Sequence, residues 1–292
     1  MKFYLVILGV TLLTLVYCQD FGVLEEADVF ADASADETLA ETTAAAESTA
    51  AETIAETGET TAEQTTPGVT EEVTSSSIGI SLSPNAQIPE TTLETNILCP
   101  GSIGMTDELR LAYLDFHNDR RSLLALGQAV KNDETKMPGA KNMLKLVYDC
   151  KLERSALQYA GQCPKIGSDP SSRGEQGENF YQLTETGEDF LKAVNKSSRS
   201  WYSVVTVYPG LGKPAKYRAN HVGTPLTTFT QMVWAVTRRM GCSVVHCPPF
   251  FTSVCRYTPA GNVVGETVYD PGETCTACPS ETTCKQDMGL CS

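Results

Sequence analysis

The chain opens on one positive charge and a predominantly apolar run, Met1-Lys2 and then Phe3 to Tyr17, ahead of Cys18-Gln19. A run of about fifteen residues suits a secretory leader and falls short of the roughly 20 needed to span a bilayer. Val16 and Cys18 are small enough to flank a cleavage site, so residues 1–18 are expected to be a signal peptide. No later apolar stretch reaches spanning length, so no membrane span is expected beyond the leader. From residue 19 to residue 98 periodicity disappears. Ala-Glu-Thr and Glu-Thr-Thr recur between Glu37 and Thr66, and aromatics are almost absent after Phe30. Such a segment buries too little apolar area to offset chain entropy, which predicts a disordered stalk over 19–98. Serine and threonine make up more than a quarter of it. That leaves two readings, a mucin-like stalk carrying O-linked glycans or a plain solvated spacer.

At Cys99 the texture changes. Thr106-Asp107-Glu108 supplies a capping hydroxyl and two acids for a helix start. Leu109, Tyr113, Phe116, Leu123 and Leu126 recur at helical spacing, and Gly127 marks a stop. A second helix is predicted over about 151–162, with Leu152, Ala156, Tyr159 and Ala160 on one side. A third is predicted over about 189–202 and a fourth over about 228–237. Strands are predicted at 144–148, 243–246, 251–257 and 263–269. Helices mixed with short strands in this order define an α+β class. The segment from Cys99 onward is long enough for one sizeable core, with roughly 70% of the unfolded surface buried.

Charge sharpens this division. The formal net charge is −14, yet residues 19–98 hold seventeen acidic residues and no Lys or Arg, while 99–292 hold nineteen acidic and twenty-one basic residues. The domain is therefore near neutral, and no basic stripe interleaved with aromatics points to nucleic acid. Removing Cys18 from the eleven cysteines leaves an even ten: Cys99, Cys150, Cys163, Cys242, Cys247, Cys255, Cys275, Cys278, Cys284 and Cys291. In a secreted chain an even set predicts five disulfides, with connectivity open. The segment Cys275–Ser292 reads as a stapled extension following a domain over 99–274. A zinc ribbon at Cys275 and Cys278 is the alternative, but Cys284 and Cys291 are spaced too widely to supply a second close pair.

Five motifs carry a resemblance. His117-Asn118-Asp119-Arg120-Arg121 lies on the first helix. Arg173-Gly174-Glu175-Gln176-Gly177-Glu178-Asn179-Phe180 precedes the third, which ends on Trp201-Tyr202. Thr228-Phe229-Thr230-Gln231-Met232-Val233-Trp234 and Val254-Cys255-Arg256-Tyr257-Thr258-Pro259-Ala260-Gly261-Asn262 follow. Together they resemble the family of cysteine-rich secretory, antigen-five and pathogenesis-related proteins, the CAP or SCP domain, over about residues 99–292. The closing Cys275-x-x-Cys278-Pro279 and Gly289-Leu290-Cys291 resemble its nematode venom-allergen-like branch. The resemblance implies a three-layer α-β-α sandwich with a central cleft lined by two histidines and two glutamates that hold a divalent metal.

Carried over position by position, only one of those four ligands is present. Glu178 is the glutamate of Gly-Glu-Asn, while Gly167, Val204 and Thr228 stand where the other glutamate and both histidines belong. No metal or other cofactor is expected at this cleft. Glu178 is read as a structural strut accepting hydrogen bonds from Thr228 and nearby backbone. His221, seven residues before Thr228, is the substitute-ligand candidate, although a surface role is the plainer reading. His117 is read as a hydrogen-bonded structural residue and His246 as a strand residue near a disulfide.

No Gly-x-Ser-x-Gly elbow is present, the cysteines are expected to be paired, and both cleft histidines are missing, so no catalytic residue is assigned. Relatives bind sterols through a loop after the third helix or fatty acids between helices. Here that loop runs from Trp201 to Gly210, with Trp201, Tyr202 and Tyr208 as its aromatics. Asn195-Lys196-Ser197 is an N-glycosylation acceptor. The resulting expectation is a secreted, non-enzymatic protein that recognises an extracellular protein or an apolar small ligand, the nematode resemblance implying a host partner; a sterol or fatty-acid carrier is the alternative, and metal-dependent or hydrolytic activity in the cleft the minor one.

Overall fold

The structure, a computed structural model, describes residues 79–184, 187, 189–208, 211–212 and 214–292. The expected signal peptide, residues 19–78 of the expected stalk, and Pro209 and Gly210 of the expected lipid loop lie outside these. The described elements are helices α1 (Asp107–Ala125), α2 (Cys150–Ala160), α3 (Phe190–Ser203) and α4 (Leu226–Met232), with strands β1 (Val147–Tyr148), β2 (Gly177–Leu183), β3 (Arg239–Cys247), β4 (Phe250–Thr258), β5 (Cys284–Lys285) and β6 (Leu290–Cys291).

Four strands form one sheet in the order β1-β3-β4-β2, with β1 parallel to β3 and the other pairs antiparallel. Alternation along β3 and β4 sends Val244, Cys255 and Tyr257 to one face and Val245 and Val254 to the other. The first face is covered by α1, α3 and α4 through Tyr113, Leu124, Trp201 and Phe229. The second is covered by α2 through Ala156, Leu157 and Ala160. This is the expected three-layer α-β-α sandwich. Five disulfides hold it: Cys99–Cys150, Cys163–Cys247, Cys242–Cys255, Cys275–Cys284 and Cys278–Cys291. The last two staple β5 and β6, and β6 docks beside Met143–Lys145 through Cys291 N to Met143 O at 2.8 Å and Lys145 N to Cys291 O at 2.8 Å.

Several expectations are corrected. The stalk does not extend to residue 98. Ile80 is buried, and Leu82, Ala86 and Ile88 pack on the α2 face of the sheet. Gln87 and His246 exchange two backbone hydrogen bonds of 2.8 Å, which adds a short rung to the free edge of β3. A few isolated apolar residues in a polar stretch vanish in a compositional average, yet here each has a partner. The predicted strand over 263–269 is a turn: Glu266 N bonds Val263 O, Gly265 takes φ +93°, and Val263 and Val264 are exposed. Strand β2 falls where no strand is predicted, inside the Gly-Glu-Asn motif.

The buried face of α1 is polar. Thr106 caps it, accepting from Leu109 N at 3.4 Å, and Gly127 ends it at φ +67°. Its buried residues include Arg110, His117, Asn118 and Arg121 alongside Leu109, Tyr113 and Leu124, while the expected Phe116, Leu123 and Leu126 are only partly covered. Arg121 is fully buried, and no carboxylate pairs with it among the described residues. Its guanidinium donates to the carbonyl oxygens of Leu144, Met232, Trp234, Ala235 and Thr237 at 2.6–3.3 Å. These contacts explain why α4 ends at Met232 instead of continuing to 237. The carbonyls beyond it turn inward to Arg121. Burial pulls the Arg121 pKa down to about 9, still above neutral, so the side chain stays a cation and keeps every donor.

His117 is also fully buried. Its Nδ1 lies 2.7 Å from Tyr113 O and its Nε2 2.8 Å from the Tyr257 hydroxyl. A carbonyl only accepts, so Nδ1 carries the proton and Nε2 accepts from Tyr257. Burial pushes its pKa down to about 4. The unfolded chain, with a His pKa near 6.5, therefore binds more protons than the folded one between about pH 6.5 and 4.

Two outcomes are expected. Arg121→Met, which leaves the carbonyls of Leu144, Met232 and Thr237 without this donor and weakens the bonding of Trp234 and Ala235, lowers unfolding free energy by about 3–5 kcal/mol in guanidinium denaturation with disulfides intact. Stability falls as pH drops from 6.5 to 4, with His117 contributing about 3 kcal/mol of the change. His117→Gln flattens that slope, and an unchanged slope contradicts the assignment.

Candidate functional site

Strand β2 and the loop before it build the cleft. Glu178 stands opposite Arg256 in the β2–β4 register, so their side chains share the α2 face of the sheet. The Glu178 carboxylate is 3% exposed and its two oxygens meet four donors. Oε1 accepts from Ser168 N at 2.7 Å and from Arg173 Nη1 at 3.1 Å. Oε2 accepts from Ser168 Oγ at 2.8 Å and pairs with Arg256 Nη1 at 3.1 Å. Asp169 shapes the donor loop by capping a short 3-10 turn over Pro170–Ser172, which brings Arg173 back so that its Nη1 also bonds Ser168 O at 3.0 Å. Burial lowers the Arg256 pKa, Glu178 opposes that, and Arg173 adds to it. The Nε atoms of Arg173 and Arg256 are buried without partners among the described residues.

A side chain at Gly167 would have to displace the Glu178 carboxylate. A Cβ there would sit 2.9 Å from Glu178 Oε1. Thr228 is turned away from Glu178: its Oγ1 donates to Trp201 O at 3.0 Å and Pro225 O at 2.9 Å, and its carbonyl accepts from Asn179 Nδ2. The expected Thr228–Glu178 hydrogen bond is therefore replaced by hydrogen bonds from Ser168 and Arg173 and an ion pair with Arg256. Val204 opens a 3-10 turn after α3 and packs against the α1/α3/α4 core.

The histidines are committed elsewhere. His221 Nδ1 accepts from Arg218 N at 3.1 Å, and its ring meets Tyr217 edge-on. Burial, with Arg218 beside it, lowers its pKa. His246 stacks on Phe251 and bonds Gln87 Oε1 at 2.8 Å. Neither is a donor to Glu178.

The aromatics of the expected lipid loop are placed differently from one another. Trp201 is 1% exposed, stacks with Tyr113, and donates from Nε1 to Phe180 O at 3.0 Å, so it is a core residue. Tyr202 lies edge-on to Phe229, with Arg120 5.4 Å over its ring. Tyr208 is half-buried against the core, and Val207 points outward. Asn195 is exposed on α3, while Ser197 of the same acceptor triplet is buried and donates to Val194 O.

The set does not fit a divalent metal. A carboxylate accepts about four hydrogen bonds; Glu178 already accepts three and is ion-paired with two guanidiniums, Arg173 and Arg256. The sulfurs of Cys275, Cys278 and Cys291 do lie within 4.8 Å of one another. They belong to two disulfides, however, and it is the thiolate that binds metal. Sequence reading missed a second buried ion pair. Arg110 grips Glu153 through two bonds of 2.6 and 2.9 Å, and Asn96 and Asp107 take its third nitrogen. The i, i+3 spacing of Asp107 and Arg110 was its only sequence signal.

With fold and site in place, comparison with known proteins defines the class. Residues 114–257 match the model of the cysteine-rich secretory protein family, CAP, and the chain belongs to it. Ancylostoma secreted protein of Ancylostoma caninum is 36% identical over 202 residues, covering 68% of this chain and 47% of the relative. This chain thus spans about half the length of that protein. Among solved structures, NaASP2 with Zn2+ is 36% identical with a TM-score of 0.61, covering 65% of this chain and 97% of that one. BmVAL-1 is 31% identical at a TM-score of 0.61, covering 66% and 97%.

Zinc titrated calorimetrically into the full chain with its disulfides formed is expected to give no site of micromolar or tighter affinity. Such a site, lost in Glu178→Ala, contradicts the reading of Glu178 as a neutralised strut.

Proposed function

We propose that this is a secreted, non-enzymatic CAP-domain protein whose work is recognition of an extracellular protein partner. The observation that carries the reading is the saturation of the cleft: the one carboxylate left there is bound by Ser168 and two arginines. General acid–base chemistry needs a titratable group free to exchange a proton with substrate. Glu178 is engaged by three hydrogen bonds and an ion pair with Arg256, His117 is enclosed, and His221 and His246 are hydrogen-bonded elsewhere. All ten cysteines of the domain are paired, which leaves no thiol nucleophile. The name of Ancylostoma secreted protein and the leader-like segment ahead of Gln19 support secretion. The acidic, Ser/Thr-rich stalk suits display of a domain away from a surface.

A carrier role would need an apolar groove. Trp201 is in the core and Tyr202 is held by Arg120 and Phe229, so Val207 and Tyr208 are the described loop residues left to meet a lipid. Mass spectrometry of solvent-extracted, natively secreted protein is expected to find no stoichiometric lipid. A sterol or fatty acid at one per chain would make the protein a carrier and overturn the proposal.

A further inference from the structure

The cleft of this chain has not simply lost its ligands. It holds a cation of its own. We propose that Arg256 is the residue that decides the cleft's cation specificity: its guanidinium is the resident counter-ion of Glu178, and it excludes a divalent metal. This inference rests on the reading of the cleft as metal-free and gives that reading a cause.

Three observations converge. Arg256 is the direct cross-strand partner of Glu178, so the pairing is set by backbone register instead of by two flexible surface side chains. The side chains of Arg256 and Glu178 are 4% and 3% exposed, so the two charges face each other out of water. The Arg256 Nη1 that pairs with Glu178 Oε2 also bonds Ser168 Oγ at 3.2 Å, and Ser168 itself donates to both carboxylate oxygens. The guanidinium, the serine and the carboxylate are therefore one interlocked unit.

Two consequences follow for a metal. A zinc ion about 2 Å from a carboxylate oxygen would lie against the guanidinium bonded to the same group and be repelled by it. With Arg173 at 3.1 Å on the other oxygen, the cluster has two positive charges to one negative before any ion enters. The same lock explains Gly167. With the carboxylate drawn onto Ser168, its Oε1 occupies the place where a side chain at position 167 would begin, 2.9 Å from an added Cβ. An imidazole at 167 would require that carboxylate oxygen to shift from Ser168 N and Arg173. Under simple disuse, Glu178 would be left free or solvated. Instead it is saturated.

The test uses zinc alone as the probe, in competition with a chromophoric chelator at pH 7. Two backgrounds are compared in the full chain with its disulfides formed: Gly167→His/Thr228→His, and the same pair with Arg256→Gln. The expected result is at least tenfold tighter zinc binding when Arg256 is removed. Equal affinity with and without Arg256, or no gain in either, overturns the proposal. Zinc binding in the unsubstituted cleft would instead overturn the metal-free reading itself, so the two failures are distinguishable. Should the change at 167 prevent folding, Val204→Glu/Thr228→His with and without Arg256→Gln asks the same question and leaves Gly167 untouched. A stability cycle gives an independent reading. Glu178→Gln and Arg256→Gln are expected to be non-additive, the double variant being at least tenfold less destabilised in its unfolding equilibrium than the product of the singles. Additive effects would show that the two groups are not a unit.

Discussion

The sandwich depends on one buried guanidinium. Arg121 projects from the inner face of α1 into a ring of five carbonyl oxygens drawn from the segment before β1 and the segment between α4 and β3. Both segments lie outside the helices and the main sheet, and a buried carbonyl left bare is costly. One cation thus satisfies two irregular stretches at once. It fixes where α4 ends, how β3 begins and where the chain passes beneath α1. The hydrophobic layers supply most of the driving force, but without this donor they would enclose unsatisfied backbone.

The same rule, that a buried charge must be fully partnered, governs the rest of the interior. Arg110 is answered by Glu153, Asp107 and Asn96, which ties the segment before α1 to α2. Glu178 is answered by Ser168, Arg173 and Arg256. Each cluster joins pieces distant in sequence, and each is compact enough to leave little capacity for an outside ligand. That is why the cleft reads as architecture. Metal capture and proton transfer both need an accessible lone pair, and the Glu178 carboxylate is buried under three hydrogen bonds and two guanidiniums.

Much of the fold was legible in sequence because apolar periodicity and turn residues marked it. The helix cap at Thr106, the stop at Gly127, and the courses of α2, α3, β3 and β4 followed from pattern within a few residues. The failures share a cause. Pattern reading assumes that polar residues face water, and here many do not. Periodicity places the inner face of α1 at Phe116 and Leu123, whereas His117 and Arg121 fill it. Residues 80–98 look like stalk, since Ile80, Leu82 and Ile88 are diluted by polar neighbours. Strand β2 is hidden behind a motif read only for its glutamate. At the cleft, the positions Glu178, Gly167, Val204 and Thr228 came from resemblance to a family. The partner that matters most, Arg256, stands in one of the quoted motifs without an assigned role, because that role follows from strand register, which sequence alone does not disclose.

The central claim is that Glu178 is neutralised from within. The most direct measurement is anomalous diffraction at the zinc edge from crystals soaked in zinc. The account predicts no anomalous peak beside Glu178, with the Arg173 and Arg256 guanidiniums in hydrogen-bonding contact with its carboxylate. A zinc peak bonded to Glu178, with those guanidiniums displaced, would contradict it.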